Sequence, residues 1–153
     1  MSGNSTKAAI EMRGTGRSCG AAPKDSNRGI IGEVPTISQQ NADRLAAEWI
    51  AAWNAHDLDA VLAHYAEDVT FASPFVAALT GDESGVIDGR AALRDYFRRG
   101  LEAYPDLHFD LHAALPGVSS VALHYASVGA RTAIEVMELD ADGAVVRVAA
   151  HYS

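Results

Sequence analysis

The stretch WNAHDLDAVLAHYAEDVTFASP, Trp53–Pro74, decides how the rest of the chain is laid out. Asn54-Ala55-His56 closes one helical pattern, and Asp57 opens the next as an N-cap. Leu58, Val61, Leu62 and Tyr65 recur at helical spacing, so the short helix they define has one apolar face. Glu67-Asp68 interrupts that period. Val69-Thr70-Phe71 then reads as a first strand, stopped by Ser73-Pro74.

Upstream, a first helix is expected from about Ser38 or Asn41 to Asn54. Leu45, Ala46, Trp49, Ile50 and Trp53 form its apolar stripe, with Asp43, Arg44 and Glu48 facing away. Two tryptophans one turn apart read as core, with one indole reaching a cavity wall. Residues 1–37 differ in kind: they hold six of the 13 glycines among Ser, Asn and Lys, without a helical or strand period. Ala8-Ala9-Ile10 is too short for the apolar run of a signal peptide. This segment is expected to be a disordered leader, and 38–153 the folded domain.

Downstream, Phe75–Gly85 has turn residues and no clear period, and reads as a loop with room for a short helical turn. Val86-Ile87 is a minimal strand. Asp88-Gly89 opens a third helix with Leu93, Tyr96, Phe97, Leu101 and Tyr104 along one side, ended by Pro105-Asp106. Its Arg90, Arg94, Arg98 and Arg99 read as a solvated face beside Asp95 and Glu102. From Leu107 the period becomes two, giving strands at Leu107–Leu115, Val118–Val128, Arg131–Leu139 and Ala144–Tyr152. Short connections imply an antiparallel meander, and helices on one side of a curved antiparallel sheet give an α+β domain.

Two-residue turns at Pro116-Gly117 and Gly129-Ala130 sort the meander into two faces. One collects Phe109, Leu111, Ala122, His124, Ala133, Glu135, Met137, Val146, Val148, Ala150 and Tyr152. The other collects His108, Asp110, His112, Val121, Leu123, Tyr125, Ile134, Val136, Glu138, Arg147 and His151. The first face is apolar except for Glu135 and His124, which are expected to meet as an acid/base pair under the helices or as a satisfied core pair. The second is half apolar and uncovered, and suggests a homodimer through the sheet.

Composition excludes several classes. The formal net charge is −8; residues 1–35 carry five basic and three acidic side chains, so the remainder carries −10. A domain that acidic, without a basic stripe, argues against nucleic acid and anionic membranes as partners. No apolar run approaches membrane-spanning length. Cys19 is the single cysteine, so no intrachain disulfide forms and a reducing, cytoplasmic setting is expected. His108 and His112 share a face without a third ligand, no phosphate-binding glycine loop precedes a helix, and no G-x-S-x-G elbow exists. Neither a metal nor a cofactor is expected.

Four segments, Trp53–Pro74, Asp88–Leu93, Tyr104–Leu107 and Asp142–Tyr152, resemble the nuclear transport factor 2-like superfamily, most of all its SnoaL-like branch. The resemblance implies a cone of three helices on a curved, mainly antiparallel sheet around an apolar pocket. Where steroid isomerases of the superfamily carry a base aspartate, this sequence has Ser73. Their oxyanion-hole tyrosine corresponds to Trp49, and their protonated aspartate to Glu135. The expected function is a small-molecule pocket acting on an apolar substrate as a cofactor-independent isomerase, cyclase or hydrolase. Glu135 would be its acid/base and His124 would tune it. Ser73 and Tyr152 would orient the substrate, with Trp49, Trp53, Phe71, Phe97, Phe109 and Met137 as walls. The alternative is a non-catalytic ligand-binding or dimerisation module of the same fold.

Overall fold

The computed structural model describes residues 36–153. Most of the expected leader, residues 1–35, lies outside the described residues. Thr36 and Ile37 fall inside them, and the Ile37 N–H donates to Gly117 O at 3.2 Å. The domain is α+β, with four helices and one curved six-stranded sheet.

Helix α1 spans Gln39–Asn54 and begins where Ser38 accepts the Asn41 N–H, satisfying one of the unpaired donors of the first turn. Its buried stripe is Ala42, Ala46, Trp49, Ala52 and Trp53. Asp57 caps α2, Leu58–Leu62, by accepting the Ala60 N–H. Strand β1, Tyr65–Ala72, starts four residues earlier than the sequence pattern indicates. Tyr65 therefore leaves the helix period and enters the core from the sheet. Helix α3, Phe75–Thr80, replaces part of the expected loop, and its stop is the left-handed Gly81.

Strand β2 is Val86–Asp88 and helix α4 is Arg90–Ala103. Gly89 between them has φ 93°, a region that disfavours any side chain, and donates its N–H to Val69 O at 2.7 Å. Strands β3 (Asp110–Pro116), β4 (Ser120–Ala126), β5 (Thr132–Leu139) and β6 (Val145–Tyr152) complete the sheet. The order is β2-β1-β6-β5-β4-β3. All neighbours are antiparallel except β1 and β6, which run parallel and so join the two ends of the chain order. Irregular registers in β1, β3 and at the β5–β6 edge accompany the curvature.

The register corrects the face assignment. Ala126 pairs with Thr132, so five residues connect β4 to β5 through a short 3₁₀ turn at Val128–Ala130, where Gly129 and Ala130 both have positive φ. An odd connection reverses the parity of β4. His124 and Ala122 therefore turn outward, and Val121, Leu123 and Tyr125 turn into the core, each almost wholly buried. Across the other turn, Glu135 pairs with Ala150 and Met137 with Val148, two residues from the expected partners but on the expected face. The irregularity beside Leu139 buries Val145 in place of Val146. A register shift around His112 leaves Leu111 37% exposed, against the expectation that it faces the core.

Candidate functional site

The cleft is built from both layers. Helix α1 supplies Trp49 and Trp53, β1 supplies Phe71, α4 supplies Tyr96 and Phe97, and the sheet supplies Tyr125, Glu135 and Tyr152. About 520 Å³ of atom-free space lies within it, mouth included, of which about 60 Å³ is roomy enough for the centre of a water molecule. The cleft is thus narrow, and its walls are flat rings. Trp49 stacks on Phe109 with centroids 5.9 Å apart, Trp53 meets Phe97 edge-on at 4.8 Å, and Phe109 lies 4.8 Å from Tyr125.

Phe109 is held by a two-way clasp. The Asn54 amide donates to Phe109 O at 2.9 Å and its carbonyl accepts the Phe109 N–H at 2.7 Å. The last residue of α1 therefore fixes the chain just ahead of β3 and seats a ring between the two tryptophans. The sequence shows Asn54 only as a helix stop.

Among the described residues Glu135 is the one carboxylate lining the cleft, and it is 3% exposed. Its position follows from β5 alternation, between Ala133 and Met137 on the inward face. Tyr125 donates to Oε1 at 3.0 Å, while Oε2 has no hydrogen-bond partner among the described residues. Burial pushes the Glu135 carboxyl up to about 7, only partly opposed by the Tyr125 hydrogen bond. The neighbouring phenols move up as well. Burial raises Tyr125 and Tyr152, and the Glu135 charge adds to both. Tyr96 is pushed up to about 12, chiefly by burial. At neutral pH these phenols stay protonated and act as donors.

The remaining expected site residues divide into those at the cleft and those away from it. Trp49, Trp53, Phe71, Phe97, Phe109 and Tyr152 line it. Ser73 is buried one step behind it: its Oγ accepts the Tyr96 hydroxyl at 3.2 Å and the Phe75 N–H at 3.1 Å. Met137 is fully buried in the core and does not reach the cleft wall. His124 is corrected outright. It sits on the outer face with its ring 5.0 Å from that of His112, and the partner of Glu135 is Tyr125. Tyr125 and Phe75 are lining residues that sequence reasoning misses. Even-length turns put Tyr125 on the outer face, and the absence of a period puts Phe75 in a loop. Tyr96 is visible on the apolar side of its helix, but nothing in the sequence gives it a role.

The stretch Trp53–Pro74 contributes mainly frame. His56 Nε2 is 2.9 Å from Leu107 O, and His64 is half-buried with its imidazole held below the usual range by burial. Neither borders the cleft.

Residues 46–153 match the SnoaL-like domain family, and the chain belongs to that family. A crystal structure of a SnoaL-like protein of unknown function from Burkholderia thailandensis E264 is 44% identical, with a TM-score of 0.74 over 77% of this chain and 98% of that one. Two more distant structures share the fold. SalBIII, described as an epoxide hydrolase/cyclase-like enzyme in pyran ring formation in the polyether salinomycin, is 22% identical with a TM-score of 0.59 over 76% of this chain and 93% of its own. AclR from Streptomyces galilaeus, described as a putative hydroxylase, is 21% identical with the same TM-score over 76% and 91%. No curated protein matches. Among the described residues no helix is long and apolar enough to cross a membrane.

Proposed function

We propose that the protein is a small-molecule enzyme that transfers a proton to or from an apolar substrate, as an isomerase, cyclase or hydrolase, with Glu135 as the acid/base. One observation carries this reading: a buried carboxyl with a free oxygen stands in a ring-walled cleft, and its pKa lies near 7. A group poised near the working pH is present in both forms, so it can give a proton to a substrate oxygen or take one from a carbon next to a carbonyl. Tyr125 donates to the same carboxyl and stabilises its charged form after a proton has left. Ser73 supports this role indirectly, by fixing the Tyr96 hydroxyl at the cleft wall. The cyclase-like description of SalBIII is compatible with such chemistry, as is the fold.

Glu135→Gln keeps the shape and removes the titratable proton. Turnover of a substrate found by screening ketones, epoxides and lactones should fall by about 10²–10⁴-fold with the fold intact. Unchanged turnover excludes Glu135 from the chemistry.

The outer sheet face supports a second proposal, that two copies associate there. Ile134 is 43% exposed at its centre, flanked across the strands by His124 and His151. An exposed apolar sheet centre with polar edges is the pattern of an interface.

A further inference from the structure

Two buried side-chain polar atoms have no hydrogen-bond partner among the described residues: Trp53 Nε1 and Glu135 Oε2. Both side chains line the same cleft. The contrast within α1 is informative. Trp49, one turn earlier and also buried, donates its indole N–H to the Tyr65 hydroxyl at 2.8 Å. The fold thus provides for one indole and leaves the other unpaired at a cavity wall. Buried polar groups are nearly always paired, and an orphan on a side chain that lines a cleft is explained when a ligand brings the partner.

The chemistry of the two atoms restricts that ligand. An indole N–H only donates, so the atom it meets is an acceptor. Among the described residues no Lys, Arg or His lines the cleft. Arg131 lies over the Phe75 ring at 5.6 Å, but it is exposed and is not a lining residue. A carboxylate or phosphate would enter without a counter-charge, which is costly in a buried site. The acceptor is therefore neutral. Between the two poles the wall is aromatic: Trp53 is 5.5 Å from Phe109, Phe109 is 4.8 Å from Tyr125, and Tyr125 bonds Glu135. A flat apolar body fits that wall.

We infer that the cleft recognises a compact, ring-bearing neutral molecule with a ketone-type oxygen, that Trp53 Nε1–H binds this oxygen, and that the ring lies along Phe109 toward Glu135. Trp53 is then a specificity-determining donor as well as a wall. The inference deepens the proton-transfer reading and rests on it only for the role of Glu135.

Two monocyclic probes of matched shape test it: acetophenone, which carries the acceptor, and ethylbenzene, which does not. The chain has 2 tryptophans, so an ¹⁵N-labelled sample gives two indole resonances, assignable by contacts to Phe97 for Trp53 and to Tyr125 for Trp49. Acetophenone should move the Trp53 indole proton downfield and leave Trp49 nearly in place; ethylbenzene should give no such downfield move. Trp53→Phe should weaken acetophenone about five- to tenfold and ethylbenzene less than about twofold, as expected for one lost hydrogen bond. Should that variant misfold, the wild-type resonance decides by itself.

A Trp53 signal unmoved by acetophenone, equal binding of both probes, or no binding of either up to their solubility overturns the inference. The acetophenone shift should persist in Glu135→Gln. A persistent shift with undiminished turnover sinks the acid/base reading alone, whereas lost turnover with no shift sinks this inference alone.

Discussion

Strand β5 carries two glutamates three residues apart, and they live in different solvents. Glu135 points inward, 3% exposed, with one phenol donor and an unpartnered oxygen. Glu138 points outward, half exposed, with the Arg147 guanidinium 3.4 Å away on β6. The same residue type on one strand becomes a titrating acid on one face and a solvated ion-pair member on the other. Alternation alone separates them. The proposed proton transfer therefore belongs to the inner face, and the proposed association to the outer one.

The largest effect expected from that division is kinetic. Glu135→Gln should abolish most turnover, while Glu138→Gln should leave it unchanged; a rate assay on both variants compares the faces directly.

The next effect is on stability against pH. The folded Glu135 carboxyl titrates near 7, above the ordinary value of 4.5 that it has when unfolded. Between those values the folded state holds the extra proton. Stability is therefore greatest below about pH 4.5 as far as this group is concerned, and falls as pH rises through 7. The loss is on the order of 3 kcal/mol for a shift of this size. Urea melts of wild type and Glu135→Gln across pH 5–8 should diverge, with the variant flatter and the more stable of the two at pH 8.

Tyr125→Phe comes third. It removes the hydrogen bond that holds the Glu135 pKa down, so the midpoint should rise further, with a cost of about 1–3 kcal/mol at neutral pH for the lost charge-assisted bond. A midpoint unmoved in this variant would mean that Tyr125 does not act on Glu135. The smallest effect is expected on the outer face. Ile134→Lys should leave the monomer fold and turnover intact and convert a dimer, seen by light scattering, into monomers. A wild-type protein already monomeric at high concentration would contradict the association proposal.

Much of the architecture is legible in the residues. Asp57 reads as a cap because its short carboxylate reaches a backbone N–H three residues on, and it does so. The stripe through Trp49 and Trp53 reads as a buried helix face, and both are buried. The inward direction of Glu135 also survives, because the β5–β6 register differs from expectation by an even number. His124 is misplaced by the sequence for a physical reason of the same kind. Gly129-Ala130 looks like a two-residue hairpin turn, and the Arg131 N–H does donate to Val128 O at 3.3 Å, but the Ser127 N–H donates to Arg131 O at 2.7 Å, so one extra residue enters on the β4 side and the connection takes five residues. Parity is an all-or-none property, so one misjudged loop moves a whole strand's side chains. The Asn54 clasp on Phe109 spans 55 residues, and no local pattern announces it. Ser73 is legible as an absent base, and the structure adds why it is buried: its hydroxyl is committed to Tyr96 and to the Phe75 backbone.

The central claim is that Glu135 is a buried acid poised for proton transfer at neutral pH. Carbon-13 carboxyl titration of glutamate-labelled protein tests it most directly, with Glu135→Gln supplying the assignment. One glutamate resonance, lost in that variant, should titrate with a midpoint near 7. If that resonance instead titrates near the ordinary value of 4.5, the cleft holds no such acid.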